Sequence, residues 1–249
     1  MVHRLTGKQE IRRLLNQDRD WALYALADLD DGMFEQCEWL GIGEGLALVF
    51  HGLSIRPIFV MGHAAEVRQL LAELPTTYGY LNAQSHTLAA AEEIYAYRHR
   101  NEMARMMLGD FVPREGPAEP LGMEAQQEVE ALFASGDGAG IAFSPSQLKA
   151  GFFRGVRENG DLIAVAGTHV VSTQEGVAGV GNVFVRSDRR GRGLAQTVLS
   201  ATVAAVRQAG IPTIGLNVEH TNAAALHAYE KLGFRTRFSY FEGMADKRI

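Results

Sequence analysis

A short segment rich in arginine and glycine carries residue types suited to holding a small anionic ligand. It covers residues 185–195 and reads VRSDRRGRGLA. The surrounding pattern predicts a strand before this loop and a helix over 193–209 after it. Free backbone amides and the positive end of that helix then face one point. Gly191 and Gly193 let a ligand approach the backbone without obstruction by a Cβ atom. We predict a site for phosphate or pyrophosphate.

Other anion-binding motifs fit this loop less well. A P-loop ends in Gly-Lys-Ser/Thr, which is absent here. A Rossmann fingerprint opens a βαβ unit, whereas this loop follows predicted antiparallel hairpins. A nucleic-acid patch on Arg186, Arg189, Arg190 and Arg192 has weak support, because the chain is acidic overall, with 24 Lys+Arg against 29 Asp+Glu. Taken singly, each arginine is best explained as a solvated loop residue.

Composition limits the class of protein. The 249 residues are 47% hydrophobic and 21% charged, which is enough apolar material for a core and excludes a disordered chain. Cys37 is the lone cysteine, so we expect neither an intramolecular disulfide nor a cysteine zinc site. No metal-binding histidine spacing, secretory signal or membrane-length apolar run is visible. We expect a cytoplasmic protein that binds no metal and no membrane.

The elements that must position the loop follow one another clearly in the second half of the chain. The sequence ENGD at 158–161 predicts a tight hairpin turn. The predicted elements are, in order, a helix over 125–134, a glycine-rich turn, a short helix near Leu148 capped by Ser146, strands over 152–157, 162–171 and 178–186, the helix over 193–209, a strand over 213–218, a helix capped by Asn222, and a strand over 235–241.

A proline-rich stretch predicts the domain boundary. Pro113, Pro117 and Pro120 lie among charges and glycines and can continue neither a helix nor a strand ladder. We therefore predict an N-terminal domain over 1–110, a linker over 111–122 and a second domain over 123–249. The expected fold class is α+β, with a mixed, mainly antiparallel sheet flanked by helices, preceded by a second, α/β domain.

Two segments resemble the GNAT superfamily of acetyl-CoA-dependent N-acyltransferases. RGRGLA at 190–195 matches the signature R/Q-x-x-G-x-G/A, and NAAALHAYEKLGF at 222–234 matches the downstream motif N-x-x-A-x-x-x-Y-E-K-L-G-F. Their order, their separation and the elements between them also agree. The resemblance covers about 125–241 and implies a GNAT-like fold there. The N-terminal domain lacks both motifs, and its element order resembles a degenerate copy of such a unit.

The resemblance implies where acetyl-CoA would bind. Backbone amides of residues 191–196 would hold its pyrophosphate, and the pantetheine would pair like an added strand beside residues 183–185. A backbone N–H there would polarise the thioester carbonyl. The implied cofactor-binding residues are Val183, Phe184, Val185, Arg190, Gly191, Arg192, Gly193, Leu194, Ala195, Gln196 and Asn222.

The resemblance also implies that Tyr229 protonates the departing thiolate. The residues themselves offer a packing alternative, since Gly233 as a helix terminator would bring Tyr229 against Phe234. The two roles are compatible. Asn222 has a similar alternative as a simple helix cap, which is compatible with cofactor contact.

The general base is the least defined part of the predicted site, for which Asn217 and His169 are candidates. Asn217 occupies a strand position where some protein-acetylating relatives carry glutamate, but an amide cannot take a proton at neutral pH. His169 is expected near the end of a core strand and is of a residue type that can act as a base near neutral pH, although a buried, hydrogen-bonded histidine is the commoner explanation. Glu219 and His220 are adjacent alternatives. Deprotonation through water, or binding of a neutral amine, needs no base.

These observations predict transfer of an acetyl group from acetyl-CoA to a primary amine, by direct attack in a ternary complex. A small-molecule acceptor is favoured over a protein, and no nucleic-acid partner is expected. The alternative is a non-catalytic acyl-CoA-binding regulatory protein, which the missing carboxylate at Asn217 keeps open. The sequence leaves open the acceptor, the acyl chain and the oligomeric state, with a homodimer compatible.

Overall fold

A computed structural model describes residues 1–136 and 143–248, and the chain divides into two units. The first unit comprises Met1–Arg105 together with Thr236–Ile249, and the second comprises Met106–Arg235. The division predicted from the proline-rich stretch therefore differs from the observed one, which returns the C-terminal residues to the first unit. The predicted glycine-rich turn falls largely on residues 137–142, outside the described residues.

The first unit is built on a mixed sheet with helices. Its strands are β1 (His3–Arg4), β2 (Cys37–Ile42), β3 (Gly45–Phe50), β4 (Pro57–Met61), β5 (Tyr78–Gln84), β6 (Tyr95–Tyr97), β7 (Asn101–Leu108), which continues into the second unit, and the last strand of the chain, β13 (Phe234–Lys247). Its helices are α1 (Lys8–Leu15), α2 (Leu23–Ala27), α3 (Ala64–Glu73) and α4 (Leu88–Ile94).

Pairing in this unit explains why the end of the chain belongs to it. Strands β2, β3 and β4 are antiparallel neighbours, and β5 runs parallel to β4 after the crossover through α3. From Tyr240 to Asp246, β13 pairs antiparallel with β5, so this long strand adds its second half to the first unit. The apolar face of α3, formed by Val67, Leu70 and Leu71, is buried in the core of this unit.

The second unit contains the elements around the arginine- and glycine-rich loop. Its strands are β8 (Glu119–Pro120), β9 (Arg154–Glu158), β10 (Asp161–Ser172), β11 (Val177–Val185) and β12 (Thr213–Glu219), and its helices are α5 (Gln126–Ala134), α6 (Leu194–Gln208) and α7 (Ala223–Glu230). The sheet order is β8-β9-β10-β11-β12, antiparallel except for the parallel pair β11–β12. The α+β class with a mixed, mainly antiparallel sheet is confirmed.

Local turn chemistry accounts for two connections of this unit. The predicted hairpin turn between β9 and β10 is confirmed, with Asn159 and Gly160 at φ 55° and 90°. The short helix near Leu148 is a 3-10 helix over Pro145–Ala150, and its capping residue is Ser144. The prediction of Ser146 as the cap was therefore wrong, because Pro145 occupies the first helical position.

The proline-rich stretch is irregular, as its composition predicts, yet it is attached to the second unit along its length. The amide of Val112 donates to the carbonyl of Leu232 (3.0 Å), and the amide of Arg114 donates to Ser200 Oγ (2.8 Å). Its end, β8, pairs with β9. Residues 111–122 are thus part of the second unit, because α6 and β9 satisfy hydrogen-bonding groups that a free linker would leave to water.

Glycines end the two helices that flank the sheet of the second unit. Gly210 after α6 has φ 79°, and Gly233 after α7 has φ 99°. A Cβ atom at Gly210 would meet nothing within 4 Å, whereas one at Gly233 would lie 2.0 Å from the carbonyl oxygen of Asp110. The two positions therefore share a left-handed backbone and differ in the space available.

This difference predicts unequal costs for the same substitution. Gly210→Ala should cost about 1–2 kcal/mol, the price of a left-handed alanine. Gly233→Ala adds a backbone clash and should cost about 3 kcal/mol or more. Thermal unfolding midpoints of the two variants test this, at about 2–4 °C per kcal/mol. Equal midpoints would contradict the contact with Asp110.

Candidate functional site

The loop between β11 and α6 leaves a run of backbone amides without partners. The amide of Arg190 donates to the carbonyl of Ser187 (3.4 Å), and that of Thr197 donates to the carbonyl of Gly193 (3.1 Å). Between them, the amides of residues 191–196 have no acceptor within the described part of the chain. Since α6 begins at Leu194, several of these are the orphan donors of a helix start. Such a run of donors suits an anion.

Two glycines set the shape of this loop. Gly191 and Gly193 have φ values of 77° and 76°, in the left-handed region that favours glycine, and Gly193 is the N-cap of α6. A Cβ atom at Gly191 would meet nothing within 4 Å, so this position is restricted by conformation rather than by space. The predicted order of strand, glycine loop and helix is confirmed.

Three arginines of the loop are paired with carboxylates. Glu158 accepts from Arg189 Nε (2.5 Å) and Arg192 Nη2 (3.0 Å), and Asp188 accepts from Arg186 Nε (2.8 Å). Hydrogen bonds from Arg192 and Arg189 hold the pKa of Glu158 below its usual range. This local neutralisation argues against a nucleic-acid surface, which needs cations available to phosphates.

Two further arginines at the loop are placed differently. Arg190 Nε donates to the carbonyl of Val185 (3.2 Å). Arg114 Nη1, from the proline-rich stretch, donates to Gln196 Oε1 (2.9 Å), and its Nη2 lies 2.4 Å from the position of a Cβ atom at Gly193. Neither arginine has a carboxylate partner among residues 1–136 and 143–248. Sequence analysis missed Arg114, because it lies 82 residues before Gln196 and in neither motif.

Beside the loop, the parallel strands β11 and β12 stop pairing before they end. Their register joins Val177–Gly179 to Thr213–Gly215, although β11 continues to Val185 and β12 to Glu219. Within the described residues, the register of β11 with β12 therefore omits residues 183–185. An extended ligand can add to a strand edge of this kind through main-chain hydrogen bonds.

A bulge lies in the same part of β11. The register with β10 passes from Val165↔Phe184 to Gly167↔Gly181, which leaves one extra residue in β11. Asn182 has φ 51°, an uncommon conformation for a residue other than glycine. Position 182 is not a glycine, so the bulge could not be predicted from its residue type. The bulge turns the backbone of β11 next to the unpaired edge.

Side chains of His169 and Gln147 hold this bulge. The Asn182 amide donates to His169 Nε2 (3.3 Å), and Asn182 Nδ2 donates to Gln147 Oε1 (2.9 Å). The imidazole covers Gly181, where a Cβ atom would lie 1.9 Å from Nε2. Nε2 is thus an acceptor, which assigns the ring proton to Nδ1. His169 has a structural partner at the bulge, and its role as a base stays a prediction.

Asn217 lies on β12 with a partly buried side chain. The alternate positions Ile214, Leu216 and Val218 are buried in the core. By strand alternation, Asn217 is on the opposite side of β12 from these three residues. Asn217 belongs to the part of β12 that follows Gly215, the last residue of this strand in register with β11.

The α7 helix and its N-cap hold Asn222 and Tyr229, the two residues of the downstream motif with predicted roles at the site. Asn222 Oδ1 accepts from the amide of Ala225 (3.1 Å), which confirms its role as N-cap. The rings of Tyr229 and Phe234 pack edge to face, with centroids 6.4 Å apart, as the packing alternative predicts. Burial raises the pKa of Tyr229 to about 12. Its hydroxyl has no hydrogen-bond partner in the described parts of the chain.

Two negative findings apply to residues 1–136 and 143–248. No group of three or more His, Cys, Asp or Glu side chains is arranged to hold a metal ion. No helix in these ranges has the length and apolar character needed to cross a bilayer.

Part of the chain is similar to a known protein family. Residues 122–234 match the sequence model of the Acetyltransferase (GNAT) family. The chain is 38% identical over 87 residues to the mycothiol acetyltransferase of Streptomyces avermitilis, covering 35% of this chain and 28% of that protein. It is 35% identical over 77 residues to the [Ribosomal protein bS18]-alanine N-acetyltransferase of Escherichia coli, covering 31% and 50%. The chain thus spans half or less of the length of these relatives.

A solved structure extends the likeness of fold to nearly the whole chain. A tandem GNAT protein from the clavulanic acid biosynthesis pathway matches with a TM-score of 0.58 and 12% identity. The match covers 99% of this chain and 98% of that one. At this level of identity the likeness concerns the fold alone.

Proposed function

We propose, from the premise that residues 122–234 form a domain of the GNAT acetyltransferase family, that this protein transfers an acetyl group from acetyl-CoA to a primary amine. The observation that carries the proposal is the run of unbonded backbone amides over 191–196 at the start of α6. A pyrophosphate satisfies several such donors at once and is stabilised by the helix end.

The rest of the donor fits the adjacent strand edge. Pantetheine carries amide groups, which pair with main-chain donors and acceptors of residues 183–185 on the unpaired part of β11. A backbone N–H of this stretch would point at the thioester carbonyl oxygen and stabilise the negative charge that develops there. The bulge at Asn182 sets the direction of that stretch.

The chemistry requires no covalent enzyme intermediate. The amine nitrogen attacks the thioester carbon, the C–N bond forms, the C–S bond breaks and the sulfur leaves as a thiolate. Tyr229, with a pKa of about 12, keeps its proton at neutral pH and donates a hydrogen bond to the sulfur. A thiol ionises near pH 8.5, so full transfer from Tyr229 alone is uphill. The proton that neutralises the thiolate therefore comes ultimately from the attacking nitrogen.

The proposed reaction uses no strong protein base. Asn217 cannot accept a proton, and the Nε2 lone pair of His169 is directed at the Asn182 amide. We therefore infer that the amine reacts in its neutral form, having lost its proton to water. The rate should then rise with pH until the acceptor amine is deprotonated.

The acceptor is proposed to be a small polar amine. The side chains that hold the bulge, Gln147 and His169, are an amide and an imidazole, and polar groups of these types suit a compact polar molecule. One relative is named as a mycothiol acetyltransferase and the other as a ribosomal-protein alanine N-acetyltransferase. Both small and protein acceptors are therefore compatible with this kind of domain. A cytoplasmic location remains a prediction from the sequence.

A non-catalytic acyl-CoA-binding regulator is the second candidate. It is favoured by the amide at Asn217 and by the engagement of His169 in the bulge. Both candidates share the donor site and differ in turnover. Thiol release in the presence of a panel of amines separates them, since a regulator would bind acetyl-CoA without releasing CoA.

The donor site is tested by a charge placed in the loop. Gly191→Asp should weaken acetyl-CoA binding at least about tenfold, because the carboxylate repels the pyrophosphate. Gly191→Asn is the matched control, since Asn and Asp both tolerate the left-handed region and only Asp carries charge. Calorimetric titration of both variants and the wild type gives the dissociation constants.

If the wild-type protein binds no acetyl-CoA, the proposed function is wrong. Equal weakening by Asp and Asn would show a backbone effect and contradict the electrostatic argument for the loop. Selective weakening by Asp would support an anion at the start of α6.

Tyr229→Phe tests the leaving-group role while keeping the ring that packs on Phe234. We expect kcat to fall about 10- to 100-fold with acetyl-CoA affinity unchanged. Because the pKa of Tyr229 is raised to about 12, the hydroxyl stays protonated and the wild-type rate should not decline between pH 8 and 10. Initial rates across this range check both points. An unchanged kcat in the variant would leave Tyr229 with packing alone.

A further inference from the structure

We propose that Arg114 is a phosphate-binding residue of the donor site, supplied by the proline-rich stretch outside both sequence motifs. The proposal rests on the proposed function and adds a residue to it. The ligand class is a phosphate group of the coenzyme, from either the pyrophosphate or the ribose phosphate.

The backbone around Arg114 is fixed along α6. Its amide donates to Ser200 Oγ (2.8 Å), and Ser200 is 3% exposed. Two residues on, a Cβ atom at Gly116 would lie 2.4 Å from Thr197 Cγ2, so the stretch lies close against the helix. With its main chain held in this way, Arg114 can direct its long side chain to one end of α6.

That side chain lies at the start of the helix. Nη2 is 2.4 Å from the position of a Cβ atom at Gly193, and Nη1 donates to Gln196 Oε1 (2.9 Å). A glycine is required at 193 for its left-handed φ of 76°, and its lack of a side chain also gives the guanidinium room. The guanidinium therefore lies beside Gly193 at the start of α6, next to the loop whose amides are proposed to bind the pyrophosphate.

This position is electrostatically unfavourable without an anion. The start of a helix carries partial positive charge, so a cation there is destabilised. The carboxylates Glu158 and Asp188 form ion pairs with Arg186, Arg189 and Arg192 in the loop. No carboxylate pairs with Arg114 among the described residues. A bound phosphate would relieve the repulsion by accepting from both the amides and the guanidinium.

Gln196 links this cation to the helix that carries Tyr229. Its side chain is 8% exposed, its Oε1 accepts from Arg114, and its Nε2 donates to the carbonyl of Ala228 on α7 (3.3 Å). The side-chain amide of Gln196 therefore orients the guanidinium and also donates a hydrogen bond to Ala228, the residue before Tyr229. The guanidinium can turn from Oε1 to a phosphate oxygen without moving the backbone.

Arg114→Gln tests the proposal by direct binding. CoA affinity should fall roughly tenfold, the value of a charge-assisted hydrogen bond at a partly exposed site. Arg207→Gln is the matched control: Arg207 lies in the last turn of the same helix and over the ring of Phe111 in the same stretch, at 5.6 Å, and its loss removes the same charge. That control should change CoA affinity less than twofold. Arg114→Lys keeps the charge but loses the planar guanidinium that can bind two oxygens at once. Its CoA affinity should lie between those of the wild type and Arg114→Gln.

Truncated probes identify the phosphate. Calorimetry is repeated with 3′-dephospho-CoA and with S-acetylpantetheine, which lacks all phosphates. If Arg114 binds the pyrophosphate, Arg114→Gln should also weaken the binding of 3′-dephospho-CoA. If Arg114 binds the ribose phosphate, the variant and the wild type should bind 3′-dephospho-CoA equally. Either result supports the proposal, provided that S-acetylpantetheine binding is unchanged.

Three results decide against it. Equal affinities of Arg114→Gln and Arg207→Gln for CoA would overturn the role of Arg114 and leave the proposed function intact, provided that Gly191→Asp still weakens binding. An equal loss of affinity for S-acetylpantetheine would show that Arg114→Gln distorts the site in general and does not simply remove a phosphate contact. The thermal unfolding midpoint of the variant, which should be unchanged, is the independent check on such a distortion. Absence of CoA binding by the wild type would remove the proposed function itself.

Discussion

Backbone amides that a helix leaves without partners are the constraint on which the second unit depends. The α6 helix begins directly after a loop held open by two left-handed glycines, so the amides of residues 191–196 have no acceptor within the described residues. Leaving these donors to water is acceptable at the surface, and a run of such donors at a helix start suits an anion. The register of β11 with β12 ends at Gly179, which leaves a strand edge before the same loop.

The first unit meets the same constraint in the opposite way. Its strands follow the same plan, with three antiparallel strands, a helix, and a further strand parallel to the third. At the start of its helix α3, however, Glu66 accepts from the amides of Glu44 (3.2 Å) and His63 (2.9 Å). A carboxylate of the chain itself thus accepts hydrogen bonds at this helix start, whereas the amides at the start of α6 have no acceptor within the described residues.

Sequence reasoning succeeded where local chemistry decides the structure. Residue type predicts the left-handed conformations of the glycines at 191, 193 and 210 and of the turn at Asn159. It failed where partners are distant in sequence. The pairing of β13 with β5 joins residues more than 150 positions apart, and Arg114 reaches Gln196 across 82 residues. The bulge at Asn182 was invisible because its left-handed residue is not a glycine, and His169 holds it from the neighbouring strand.

The placement of charge in the second unit shapes how its chemistry would respond to pH. Backbone amides would hold an anion without titrating. Tyr229 keeps its proton because burial raises its pKa to about 12. His169 is tied to the backbone of the bulge. Under the proposed function, catalysis would rest on positioning the amine against the thioester, and the pH dependence of the rate would report the ionisation of the acceptor.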